Sequence, residues 1–298
     1  MAIWTPKLIK PSLGTPIYQG HPLARGLVLY LPMNEGSGNT VSDLSGNGNH
    51  GTFYQSTSWT SGKFGPATYF DGTDDIIGIS KWPGWPVVTM AAWVRFDQAI
   101  GADECIAAVD STANGARTFQ FRRTSGGVAQ LIVFVGGDAI SATGTTTVPT
   151  GIWHHIVGVN DGTNALIYVN GVLDQTPIAS GSMDADPGNW GIGARAKRNT
   201  GFTTDIDSEL QGAIDSYTTW NRALSASEIA DLYANPFAMF ERPTPEMWVS
   251  AGEAPAGGGR VITIIMSRIP AWLAVSLLIT VIVMAIGYNN VDVKRKAA

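Results

Sequence analysis

The sequence predicts an all-β protein built around one large sandwich or barrel, and three observations carry that expectation. Charged residues make up only 14% of the 298 positions while glycine takes 35 of them, a balance that suits strands joined by frequent turns. Short apolar runs recur between Leu27 and Trp220, with turn residues in every gap. Helical periodicity is nearly absent, and the chain offers a single well-marked helix start. The length suffices for one sizeable sandwich with tails, or for two small domains.

The elements follow in order. Residues 1–25 carry prolines at 6, 11, 16 and 22 and read as an extended arm, either flexible or packed on a neighbour in an assembly. They contain no apolar h-region, so no secretory signal peptide is expected. Period two begins at Leu27, with Leu29 and Leu31 on the same strand face, and stops near Pro32. Asn34–Gly51 is rich in Gly, Asn, Ser and Asp and reads as loop. Strands are expected at Ala67–Phe70, Ile76–Ile79, Val87–Phe96, Phe119–Arg122, Gln130–Val135, Trp153–Val159, Leu166–Val169, Trp190–Gly193 and Ala213–Trp220. Asn170-Gly171 between apolar pairs predicts a type I′ hairpin, because both central positions of that turn need positive φ. Ser225 and Glu228 form a capping-box signature, and Ile229, Leu232 and Tyr233 give the short helix after it an apolar stripe.

Residues 241–260 form a Pro/Gly linker, and 261–298 an apolar tail. Within that tail Ile269 to Tyr288 carries no charge, and about 20 apolar residues match a bilayer core of about 30 Å. Trp272 and Tyr288 lie near its ends, where interfacial aromatics belong, so a membrane-spanning helix is expected. The other reading is a buried helix or strand pair in an oligomer, which the run Val261–Met266 favours.

The net charge of −5 makes a nucleic-acid partner unlikely to be recruited by a basic surface, and none is expected. Five basic residues follow position 259 against Asp292 alone, so the globular part is acidic and the tail basic. Cys105 is the only cysteine, which rules out an intrachain disulfide.

Seven ordered segments carry a resemblance: GLVLYLPMNEGSG (26–38), DLSGNGNHG (43–51), GKFGPATYFDGTDDII (62–77), VTMAAWVRF (88–96), TGIWHHIVGVNDG (150–162), IYVNGV (167–172) and LQGAIDSYTTWNRALSASEIADLY (210–233). Together they resemble the concanavalin A-like lectin/glucanase domains of the laminin-G-like group. The resemblance implies a two-sheet antiparallel jelly-roll sandwich over 26–240, to which the residues themselves add the one short C-terminal helix and, beyond it, the apolar tail helix. Family members are carbohydrate- or protein-binding modules on secreted, cell-surface and bacteriophage proteins, and the framing arm and appendage look most like the phage and bacterial examples.

Site expectations follow from both sources. The loop from Asp43 to Asn49 offers a carboxylate, amide oxygens and inward-turning carbonyls, which hard cations want. Some members of the resembled family hold a structural calcium between this loop and the last core strand, where Asp215 matches the family's aspartate. Ser216 stands where that family commonly has Glu, and Glu35 is a further candidate ligand. The competing reading makes Asp43 and Asn49 Asx-turn residues and lets Asp215 bond local backbone. Trp82 and Trp85, in a loop that no core requires, are candidates for stacking on sugar rings. Asp205, Asp207 and Glu209 alternate as the paired carboxylates of retaining glucanases do, although Asp205 stands where that family has Glu. His154 and His155 point to opposite strand faces and cannot chelate one ion together. Asp71, Asp74 and Asp75 read as turn acids that can also help hold an ion.

The expected function is non-catalytic recognition or adhesion, toward a glycan or cell-surface ligand, with the chain tethered through its C-terminus to a membrane or an assembly. The alternatives are a structural protein of a virus particle, assembled as a homo-oligomer or with other virion subunits, and a glycoside hydrolase using residues 205–209. The expected location is correspondingly membrane-anchored or virion-associated.

Overall fold

The computed structural model describes residues 8–110, 117–184, 187–196, 202–203, 206–241, 247–251, 262–266 and 291–295. Residues 1–241 and 242–298 form two separate units. In the first, two antiparallel sheets face each other. The nine-stranded sheet runs in space as Val172–Leu173, Asn164–Val169, Trp153–Asn160, Val88–Phe96, Gln211–Trp220, Pro66–Asp71 and Ser58–Ser61; Leu27–Leu31 also pairs with Gln211–Trp220, and Ile178–Ala179 with Asn164–Val169. The eight-stranded sheet runs as Asp138–Thr147, Val128–Val135, Arg117–Arg123, Glu104–Asp110, Gly188–Ile192, Ile76–Trp82, Gly51–Tyr54 and Thr40–Val41. Neighbours distant in sequence make this a jelly-roll-like sandwich.

The expected strands all form. The sequence reading missed Glu104–Asp110, whose ECIAAVD has no polar alternation because it is buried along its whole length. It also missed Asp138–Thr147, a mostly exposed edge strand of polar residues. Thr40–Val41 pairs with Gly51–Tyr54, so the stretch read as loop contains a short strand. The hairpin turn has φ of 51° at Asn170 and 82° at Gly171. The helix Ala226–Ala234 carries the full capping box between Ser225 and Glu228.

Between the sheets lies one large apolar cluster that includes Leu29, Leu31, Met90, Val94, Phe119, Phe121, Trp190 and Tyr217. A second cluster covers the outer face of the nine-stranded sheet. There Ala91, Val157, Val159 and Trp220 meet Ile229 and Leu232 of the helix, together with Ile17 and Leu23 of the N-terminal arm. The arm is therefore a correction to the extended reading: its described part packs on its own sandwich. Trp220 Nε1 donates to Leu23 O at 2.7 Å and Tyr18 N to Met239 O at 2.8 Å.

In the second unit Met247–Ala251 pairs antiparallel with Ile262–Met266, which pairs parallel with Val291–Arg295. The expected span Ile269 to Tyr288 lies outside the described residues. Among the described residues no helix is long and apolar enough to cross a membrane.

Candidate functional site

The two tryptophans sit differently from expectation. Trp82 is the last residue of Ile76–Trp82 and is fully buried, edge-on to Trp85, Phe119 and Trp190 with ring centroids 4.6, 5.0 and 5.0 Å away. It is a core residue, with no free ring face for a sugar. Trp85 is partly buried against the same cluster, and the loop joins the core through its edge-on contacts with Trp82 and Trp190.

The calcium candidates are dispersed over separate local networks. Asp43 Oδ1 accepts from the Tyr30 and Ser45 amides, both at 2.9 Å, and Oδ2 accepts from the Ser45 hydroxyl at 2.8 Å and Asn49 N at 3.0 Å. Asn49 Nδ2 donates to Val28 O at 2.9 Å. Glu35 accepts from Asn34 N at 3.0 Å and Ser42 N at 2.7 Å. Asp215 is fully buried, with Oδ1 3.0 Å from Lys10 Nζ and Oδ2 accepting from Phe64 N at 3.0 Å. Burial pushes the Asp215 carboxyl up and the Lys10 ammonium down, each opposed by the charge of the other. A calcium ion needs six to eight oxygens converging on one point. Here each carboxylate is already engaged by its own donors, and an ammonium stands against Asp215, so the residues present do not fit calcium. Among the described residues the acids that do converge are Asp71, Asp74 and Asp75, whose ligand atoms lie within 4.8 Å of one another. They also build their own turn, with Thr73 N donating to Asp71 and Asp71 N to Asp75, both at 2.8 Å.

The alternation expected to align Asp205, Asp207 and Glu209 ends early. Asp205 lies outside the described residues, and Ser208 has φ of 55°, so the strand Ile206–Asp207 stops there. The Asp207 carboxylate is bound by the Arg195 guanidinium, with Nε–Oδ1 at 2.7 Å. The histidines behave as strand alternation dictates. His155 lies on the outer face beside the stacked rings of Trp93 and Tyr233, 5.2 and 5.9 Å away, and burial drives its pKa down to about 3.

What the sequence did not single out is a row of charge on the outer face of the eight-stranded sheet. Arg117, Asp110 and Asn189 are successive register partners on three adjacent strands. Arg117 Nε lies 4.0 Å from Asp110 Oδ1, and Arg195 Nε lies 3.9 Å from Asp110 Oδ2. Arg195 then closes onto Asp207, which makes the row alternate in sign. Burial works against the Arg195 charge, but hydrogen bonding to Asp207 and the charges of Asp207 and Asp110 hold its pKa above the ordinary value. The Arg117 side chain is 46% exposed and lies over the Phe134 ring at 5.9 Å. Asn189 Nδ2 is buried without a hydrogen-bond partner. On the same face Tyr54 and Phe202 pair at 5.2 Å. Gly78 makes room for them, since a Cβ there would run into the Phe202 ring. The signal available in the sequence was alternation: Trp190 and Val109 are core residues, so Asn189 and Asp110 face outward.

Residues 86–230 match the Laminin_G_3 family model, which describes the concanavalin A-like lectin/glucanases superfamily. No curated protein matches the chain. Among solved structures, domain 4 of AbnA, a GH43 extracellular arabinanase from Geobacillus stearothermophilus, in complex with arabinotriose, is similar at 17% identity and a TM-score of 0.55, over 70% of this chain and 98% of that one. The binding domain of Paraclostridial Mosquitocidal Protein 1 is similar at 15% identity and a TM-score of 0.55, over 77% of this chain and 59% of that one. The botulinum neurotoxin serotype G binding domain is similar at 17% identity and a TM-score of 0.52, over 70% of this chain; the match spans 50% of the toxin domain.

Proposed function

Because its sandwich belongs to the concanavalin A-like lectin/glucanase superfamily, we propose that this protein is a non-catalytic recognition module that takes a carbohydrate on the outer face of its eight-stranded sheet. The observation that carries the reading is the asymmetry of the two faces. The helix and arm close the outer face of the other sheet over apolar residues, while this one carries Arg117, Asp110, Arg195 and Asp207 as alternating charges in one row, with Arg117 and Asp207 reaching the surface beside the largely buried Asp110 and Arg195. Sugar hydroxyls each donate and accept, and alternating guanidinium and carboxylate planes satisfy both roles with directional, charge-assisted bonds. Tyr54 and Phe202 add apolar surface suited to the C–H face of a pyranose or furanose ring. The arabinotriose complex of the similar arabinanase domain supports a glycan over a protein ligand.

Catalysis is not part of the reading. The Asp207 carboxylate is committed to Arg195, whereas a glycosidase pair needs one free nucleophile and one raised acid about 5–5.5 Å apart. The apolar run from Ile269 to Tyr288 is the proposed tether to a bilayer or an assembly.

A glycan array probed with the full chain is expected to give saturable hits. Arg117→Ala should weaken them at least tenfold, equivalent to about 1.4 kcal/mol, without unfolding the domain. Tyr54→Ala should weaken them in the same way. A blank array, or hits unchanged by both variants, overturns the proposal.

A further inference from the structure

The Asp215 site contains a feature that the calcium expectation did not foresee. Gln211–Trp220 pairs with Val88–Phe96 through a bulge: Ile214 faces Val94, Ser216 faces Trp93, and Asp215 is the extra residue between them. A bulged residue leaves its backbone groups out of the ladder. On the other edge the partner changes at the same place, from Pro66–Asp71, which pairs up to Ile214, to Leu27–Leu31, which pairs from Tyr217. The fork between those two strands strands several carbonyls in the interior. Met33, at φ of 51°, turns its carbonyl into the fork, and Pro66 opens its strand there.

Lys10 fills that fork. Its Nζ donates to Asp215 O at 2.8 Å, to Met33 O at 3.2 Å and to Pro66 O, and it lies 3.0 Å from Asp215 Oδ1. Its side chain is 2% exposed and that of Asp215 0%. Oδ1 receives no hydrogen bond in regular geometry, so its negative charge is answered by the ammonium charge. Three neutral carbonyls and one carboxylate oxygen around a point positive charge form the kind of environment that hard cations take. An interior of this dielectric requires such a charge once Asp215 is ionised. The fit is built from both sides. A Cβ at Gly62 would run into Asp215 Oδ2, and the Lys10 stem passes Gly65. Asn34 Nδ2 donates to Pro11 O at 2.7 Å, pinning the arm one residue further on.

We propose that the Lys10 ammonium is the resident cation of this oxygen cage. It takes the place of a divalent metal ion, makes this cage indifferent to calcium, and fixes the N-terminal arm as part of the fold. Removing the ammonium leaves a buried carboxylate and three unpaired carbonyls, and the cage becomes a site that a calcium ion can enter.

The test is thermal melting of the full chain in excess EDTA and in millimolar calcium chloride. The wild-type midpoint should be the same in both. Lys10→Ala should melt about 5–15 °C lower in EDTA, the shift expected for uncovering a buried charge in a domain of this size, and should regain part of the loss in calcium. Lys10→Gln keeps a polar stem in the cage and serves if the alanine variant does not fold in EDTA; it should show the same calcium-dependent rise. Sensitised terbium emission, with terbium as the calcium probe, should be stronger in both variants than in the wild type. A wild-type midpoint that rises with calcium overturns the proposal. So do two variants that respond to neither calcium nor terbium.

Discussion

The nine-stranded and eight-stranded sheets share one interior but differ on their outer faces, and that difference is written in the alternate residues of their central strands. Along Val88–Phe96 and Trp153–Asn160 the outward positions include Ala91, Val157 and Val159, which lie under Ile229 and Leu232 of the helix. Along Arg117–Arg123 the outward positions are the polar Thr118, Gln120 and Arg122, while the neighbouring Glu104–Asp110 is buried along its whole length and brings only Asp110 to the charged row. A strand buried on both faces reads as continuous apolar sequence, and one buried on a single face alternates. The comparison teaches that the helix and the arm roof one sheet over apolar residues, while polar and charged residues mark the outer face of the other, where the proposed ligand site lies.

The largest effect expected is in the shared interior. Trp82→Ala should cost about 3–5 kcal/mol in chemical denaturation; a loss below about 1 kcal/mol would return Trp82 to the surface loop that the sequence predicts for it. Ile229→Ala, under the roof, should cost about 2–4 kcal/mol, and a negligible loss would mean that the helix does not seal that face. His155 sharpens the comparison through pH. Its unfolded imidazole takes a proton near pH 6.5, while the buried ring refuses one until about pH 3. Its contribution is therefore complete above the unfolded value and is lost as pH falls from about 6.5 toward 3, at up to about 1.4 kcal/mol per pH unit. His155→Phe should flatten that acid-side slope, and equal slopes in the two proteins would contradict the assignment.

Glu228 gives a smaller effect. Hydrogen bonding to Arg222, then to the Ser225 backbone, holds its pKa at about 2 against the opposing effect of burial. The stabilisation is present above the ordinary carboxylate range and is lost as pH falls through about 2. Glu228→Gln should cost about 1 kcal/mol at neutral pH, measured by urea titration, with the difference from wild type vanishing in strong acid. Smallest of all, Arg117→Ala on the open face should change stability by less than about 0.5 kcal/mol. A larger loss would make that row structural.

Local chemistry is what the sequence made legible. Period two marked the strands, Asn170-Gly171 marked the hairpin, and Ser225 with Glu228 marked the helix start, because in each case the partners lie within a few residues. Trp82 was misread because Pro83, Gly84 and Pro86 look like loop, and its burial is decided by Phe119 and Trp190 on other strands. The arm was misread for the same reason: Lys10 and Leu23 find their partners at Asp215 and Trp220, about two hundred positions away. Asp43 and Asn49 were read both as ligands and as turn residues, and their bonds to Ser45, Tyr30 and Val28 are those of turn residues. The charged row escaped notice because its members come from four separate stretches that only strand pairing brings side by side.

Hydroxyl-radical footprinting of the full chain, saturated with an oligosaccharide selected on the array, tests the division between the two faces most directly. Tyr54 and Phe202 on the open face should be shielded, while Tyr233, 39% exposed on the helix, should react as it does in the free protein. Shielding of Tyr233 with Tyr54 and Phe202 unchanged would place the ligand on the roofed sheet and contradict the account.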